Sequence, residues 1–141
     1  MTATLLGFDF GLKHIGVAIG QTLTRSARPL TSLQAKAGVP NWAVLSALIN
    51  TWKPAALVVG IPLNMDESEQ PITHAARNFA KELEAHYHLP VHLVDERLST
   101  VEARAQLFAE GGYRALSKQA VDQLSAQLIL QNWLDAQSSE L

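Results

Sequence analysis

The sequence predicts an α/β fold: a five-stranded mixed sheet, strand order 3-2-1-4-5, flanked by helices. Three observations predict it. The N-terminal third carries three strand-like runs joined by short links. Helical and strand-like spacing then alternate, the pattern of strands reached by helical crossovers. The fourth strand-like run, "ALVVG", is apolar at every position, as expected of a parallel strand covered on both faces.

"TLLGFDF" reads as the first strand and "HIGVAIG" as the second, with "GLK" as the turn between them. "ARPLTSLQA" is the third, and its proline suits an edge or a strand start. Short links between the three predict an antiparallel meander. From Asn41 to Lys53, apolar residues recur at Trp42, Val44, Leu45, Leu48, Ile49 and Trp52, which is helical spacing. Asn41 is placed to cap that helix, and Pro54 follows its end. "ALVVG" comes next, and "IPLNMDESEQ" reads as a loop. Pro71 opens a second helix running to about Tyr87, with Ile72, Ala75, Ala76, Phe79, Ala80 and Leu83 facing inward.

"VHLVD" is the fifth strand. "STVE", Ser99 to Glu102, has the form of a capping box and starts a helix that runs to about Glu110. "GGYRAL" breaks the chain. A last helix runs from about Ser117 to Asp135, with Val121, Leu124, Leu128, Ile129 and Trp133 expected in the core. The first crossover must return a parallel strand beside the first one, so the first strand is central. The resulting order, βββαβαβαα, is the RNase H-like arrangement.

With 141 residues and 48% hydrophobic content, the chain fits a single domain, residues 1–141, with a substantial core. It has no cysteine, which excludes disulfides, thiolate zinc sites and cysteine nucleophiles and agrees with a reducing cytoplasm. "MTATLLGFDF" lacks the basic start of a signal peptide, and no apolar run reaches membrane-spanning length. Net charge is −2, unevenly spread. Residues 1–60 hold five Lys or Arg against one acid, Asp9, and residues 61–141 hold six against twelve. A basic N-terminal surface able to meet phosphate is one reading, and solvated helix faces are the other.

Asp9 raises the chemical question, because burying a carboxylate at the end of an apolar strand is costly. Ligand crevices of open α/β sheets lie beyond the carboxyl ends of the strands, which is where Asp9 sits. Asp95 and Glu96 end the fifth strand at the same edge. Alternation along an extended backbone lets only one of them share a site with Asp9. Asp122, early in the last helix, can pack across the sheet near the first strand. Gathered carboxylates repel one another and call for a cation. Oxygen ligands suit Mg²⁺ or Mn²⁺, whose chemistry fits phosphodiester hydrolysis. Taken singly, each acid has a plain alternative: Asp9 capping a turn, Glu96 pairing with Arg97 or Arg104, and Asp122 favoured by the helix dipole. The matched strand ends favour a shared site.

"FDFGLKHIGVAIG", "LVVGIPLNMDESEQ", "VDERLSTVEA" and "GGYRALSKQAVDQLSA" together resemble the YqgF/RuvX family. These are Holliday-junction-resolvase-like proteins also described as pre-16S rRNA nucleases. The resemblance runs from about Leu5 to Trp133. "GIPLNMD" with "DERLST" is highly specific, and "DFG" alone is weak. It implies an RNase H-like fold, a cytoplasmic protein, and a role in processing the 5′ end of 16S rRNA. It also implies that Asp9, Glu96 and Asp122 are catalytic and hold the metal. Related resolvases carry a second acid one helical turn after the last one, where this chain has Ser125. The family loop often reads "MDG", where this chain has Asp66 and Glu67.

Lys13, Arg97, Arg104, Arg114 and Lys118 flank the expected site and are candidates for substrate phosphate. Lys13 and His14, in the turn beside Asp9, fit either a phosphate contact or a solvated turn. Gly60 lets a backbone approach closely at the end of the fourth strand, or simply makes a tight turn. His86, His88 and His92 read as surface or strand residues rather than metal ligands. The leading function is a metal-dependent endonuclease on structured RNA, chiefly precursor rRNA, with the ribosome as a further partner and no membrane. Branched-DNA resolution is an alternative, and a weakly catalytic nucleic-acid-binding maturation factor is another. A monomer or weak homodimer is expected. An actin-like ATPase would need a second domain, for which the chain has no room.

Overall fold

The computed structural model describes residues 3–63, 66, 68–96, 99–112 and 117–138, with the side chains of 99–102, 104, 118, 119 and 138 left aside. Strands β1 (Thr4–Asp9), β2 (His14–Gln21) and β3 (Ser26–Lys36) form the expected meander. A two-residue strand β4 (Val39–Pro40) follows, then α1 (Trp42–Trp52), β5 (Ala56–Ile61), α2 (Pro71–Tyr87), β6 (Val91–Asp95), α3 (Ser99–Gly111) and α4 (Lys118–Ser138). The sheet order is β4-β3-β2-β1-β5-β6. β1 is antiparallel to β2 and parallel to β5, and β6 is parallel to β5. The expected order 3-2-1-4-5 holds. The correction is one added edge strand, since β4 pairs Ala35 with Pro40 and Lys36 with Val39.

Local chemistry agrees with the element ends. The Asn41 side chain accepts from the Ala43 N–H at 3.0 Å, capping α1. Lys53, left-handed at φ 47°, ends that helix before Pro54. Pro71 opens α2, where the Thr73 hydroxyl accepts from the Gln70 N–H and donates to the Pro62 carbonyl. The Ser117 hydroxyl accepts from the Ala120 N–H at 3.1 Å at the start of α4. Pro29 sits on the part of β3 that β4 leaves uncovered, next to a register shift between Val17 and Ala18. The "STVE" capping interaction lies outside the described side chains.

Strand alternation sorts the core into two faces. Leu6, Phe8, Ile15, Val17, Ile19, Leu57, Val59 and Ile61 pack under α1 and α2 around Phe79 and Leu83. Leu5, Ala18, Ala56 and Val58 pack under α4 against Ala126, Ile129, Leu130 and Leu134. Glycines make this second face shallow. A Cβ on Gly7 would meet the Leu130 Cβ at 2.8 Å, and one on Gly16 would meet the Asp122 carbonyl oxygen at 2.1 Å. The last helix therefore lies closer to the sheet than any side chain at those positions would allow.

Candidate active site

Asp9 is the last residue of β1, opposite Gly16 of β2. By alternation it shares the α4 face with Leu5 and Gly7, while Phe8 and Phe10 face the other way. Gly16 has no side chain, so the backbone of Asp122 comes down beside it. On the other side of β1, Glu96 follows β6, its N–H donating to the Ile61 carbonyl at 3.2 Å. His92, Val94 and Glu96 face α4, and Asp95 is exposed on the opposite side, as expected. Gly60 accommodates Glu96, because a Cβ there would lie 2.6 Å from Oε2 of that glutamate. The expected close approach of a backbone is corrected: side chains fill the space, Ile129 Cδ1 at 2.5 Å and the Glu96 carboxylate at 2.6 Å.

The three acids line one cavity of about 420 Å³, together with Phe10, Lys13, His14, Pro62 and Ile72. Glu96 and Asp122 are 8% and 4% exposed. Burial, foremost, pushes the Glu96 carboxyl up to about 10. The charge of Asp9, a hydrogen bond shared with Asp9, and the charge of Asp95 act in the same direction. Burial and the neighbouring Asp9 carboxyl thus both favour the protonated form of Glu96. Glu96 Oε2 is buried and has no hydrogen-bond partner among the described residues.

These donors are all hard oxygens, and one is left without a partner. That chemistry fits Mg²⁺ or Mn²⁺ better than a softer metal. Among the described residues, no group of three or more His, Cys, Asp or Glu side chains is placed so that it could hold a metal ion as it stands. One turn beyond Asp122, Ser125 is fully buried with its hydroxyl unpartnered among the described residues.

Of the expected substrate contacts, Lys13 lines the cavity. Arg97 and Arg114 lie outside the described residues, as do the side chains of Arg104 and Lys118. Sequence reasoning missed the closeness of Gly16 to Asp122, and it missed Phe10, Pro62 and Ile72 as cavity walls. The small-residue alternation of "HIGVAIG", with Gly16, Ala18 and Gly20 on one parity, was the available signal for the first of these.

Comparison with known proteins agrees with this picture. The profile of the RuvX family, described as Holliday junction resolvase, matches residues 3–136. A Legionella pneumophila (strain Paris) protein named "Putative pre-16S rRNA nuclease" is 57% identical over 129 residues, covering 92% of this chain and 93% of that protein. A Klebsiella pneumoniae protein of the same name is 54% identical over 135 residues, covering 96% and 98%. Among solved structures, Thermus thermophilus RuvC in complex with a Holliday junction superposes with a TM-score of 0.60 at 15% identity, covering 97% of this chain and 96% of that one. The fowlpox virus resolvase bound to Holliday junction DNA gives 0.56 at 9% identity, covering 95% and 98%. These distant structures share the resolvase fold. With its sequence matched almost from end to end and its acids gathered beyond the central strand, the chain belongs to the RuvX family of Holliday junction resolvases.

Proposed function

We propose that this protein is a metal-dependent endonuclease, a hydrolase of phosphodiester bonds, acting on the 5′ end of precursor 16S rRNA. One observation carries the reading: Asp9, Glu96 and Asp122, from two strand ends and a helix, open onto one cavity. The names of relatives at 50–57% identity point to the same substrate. Asp9, Glu96 and Asp122 would hold Mg²⁺ or Mn²⁺. Such an ion supplies an activated water and charge stabilisation at the scissile phosphate. The protein places the acids, keeps Asp95 out of the site, and walls one side with Phe10, Pro62 and Ile72. Lys13, and on the resemblance Arg97, Arg104, Arg114 and Lys118, would meet backbone phosphates. The family description favours branched DNA as a second substrate.

We place the protein in the cytoplasm, where precursor rRNA and the ribosome are its partners, as one domain in a monomer or weak homodimer. No helix among the described residues is long and apolar enough to cross a membrane.

The test is cleavage of precursor 16S rRNA and of a four-way DNA junction, each with Mg²⁺, Mn²⁺ or EDTA. The expected result is metal-dependent cutting of the RNA that EDTA abolishes. Asp9→Asn keeps the shape of the side chain and removes its charge. It should lower the rate by at least about 100-fold with the fold intact by circular dichroism. Cutting that survives both EDTA and Asp9→Asn in a nuclease-free preparation would sink the proposal.

A further inference from the structure

A second cavity, of about 430 Å³, lies beside the acid cavity and shares Lys13 and His14 with it. Its other walls come from the β3–β4 hairpin and the start of α1, with Gln34, Lys36, Val39 and Asn41 among them. The two cavities are opposite in character. Three carboxylates line the first, whereas the second has two lysines, a histidine and, among the described residues, no acid in its lining. The first turn of α1, at its rim, also carries no acid, so the positive end of that helix is uncompensated.

The second cavity is built by backbone bonds. The Ala35 N–H donates to the Lys13 carbonyl at 2.8 Å, and the Gly38 N–H donates to the Leu12 carbonyl at 2.9 Å. These bonds tie the turn that follows Asp9 to the hairpin. Ala37 and Gly38 both take positive φ, 50° and 83°, the backbone of a tight two-residue hairpin turn. That turn brings β4 back to close the outer wall. A Cβ on Gly38 would meet the Phe10 ring at 2.8 Å, so the hairpin rests on a residue that also lines the acid cavity. His14 Nδ1 is buried and has no hydrogen-bond partner among the described residues.

Resting on the nuclease reading above, we propose that this second cavity is a phosphate subsite. It holds the backbone of the same nucleic-acid strand one step away from the bond to be cut. The acid cavity without a cation repels phosphate. The neighbouring cavity attracts it whether or not a metal is present. Lys13 stands on the boundary, and Lys36 anchors the far side. Leu12 and Val39, 47% and 54% exposed, flank the hairpin and give sugar or base an apolar surface.

The test is binding of a short precursor-rRNA oligonucleotide in EDTA across a salt series, so that no cleavage and no metal enter the reading. Lys36→Gln should weaken binding several-fold and reduce the slope of log K against log salt by about 0.7–0.9, the loss of one phosphate contact. Lys13→Gln should do the same, and the double variant should lose about twice as much slope. Lys53→Gln, an exposed lysine beyond the far end of α1, should match wild type. With metal, Lys36→Gln should raise KM far more than it lowers kcat. Wild-type affinity and slope in Lys36→Gln would overturn the subsite, as would wild-type protein that binds no RNA in EDTA. Neither result touches the nuclease reading, which fails instead if wild type cuts neither substrate with any metal.

Discussion

The two faces of the sheet solve different problems. Under α1 and α2 the sheet presents large side chains, and Phe79 is the hub. Its ring lies 5.7 Å from Phe8 at 77°, 5.3 Å from Phe10 and 6.5 Å from Trp42. Under α4 the sheet presents Gly7, Gly16, Gly20 and Gly60 together with Ala18, and the helix fills the space their side chains leave, with its backbone at Gly16 and with Leu130, Leu134 and Ile129 at the others. The first face contributes burial, about 1.5–3 kcal/mol for each large side chain. The second gives up some of that burial to bring carboxylates from β1, β6 and α4 within one cavity. Stability and chemistry are thus divided between the two sides of one strand. Phe8 points to one side and Asp9 to the other.

The largest effect is expected on the first face. Phe79→Ala empties the aromatic hub and should cost about 3–5 kcal/mol of stability in chemical denaturation. The activity of the molecules that remain folded should not change. A loss of metal dependence in that variant would show that the faces are not independent. On the second face, Gly16→Ala forces a methyl against the Asp122 backbone. It should cost about 1–3 kcal/mol, yet lower cleavage more than Phe79→Ala does, because it moves a site acid. Equal activity in Gly16→Ala and wild type would break the contrast.

A pH dependence sharpens the same contrast. Glu96 titrates near 4.5 when unfolded and at about 10 when folded. The folded state therefore holds a proton that the unfolded state has released. This favours the fold fully below about pH 4.5, and the advantage is lost as pH rises towards 10. Glu96→Gln carries no titrating proton. In EDTA its thermal midpoint should exceed that of wild type at about pH 8, and the gap should shrink at about pH 5. Melting curves that stay parallel across this range would refute the buried-proton account.

The fold was legible because its signals were strong and local. "ALVVG" and "GVAIG" carry no polar residue to confuse their period, and Asn41, Pro54 and Pro71 mark helix ends by backbone chemistry. β4 was not legible: two residues, Val39 and Pro40, make no period, and a left-handed Ala37 is an unusual turn residue. Asp9 and Glu96 were legible as a pair because parallel strands end at one edge, alternation lets only one of Asp95 and Glu96 join Asp9, and the family resemblance named Glu96. The facing of α4 was read only in part. Val121, Leu124 and Ile129 are buried as expected, but so are Asp122, Ser125, Ala126, Leu130 and Leu134, while Leu128 and Trp133 are half-buried. The helix packs against both the sheet and α3, so its buried arc is wider than one stripe. Single-helix periodicity cannot foresee a second neighbour.

The position of α4 also sets an order in time. Asp9 is made in the first strand, Glu96 after the last strand, and Asp122 in the last described helix. Synthesis delivers them in that sequence, and a domain folds as a unit, so the site waits for α4 to emerge. Until α4 docks on the glycine face, the cavity lacks Asp122 and the wall that carries it. The last of the three acids to be made is thus the one that completes the cavity.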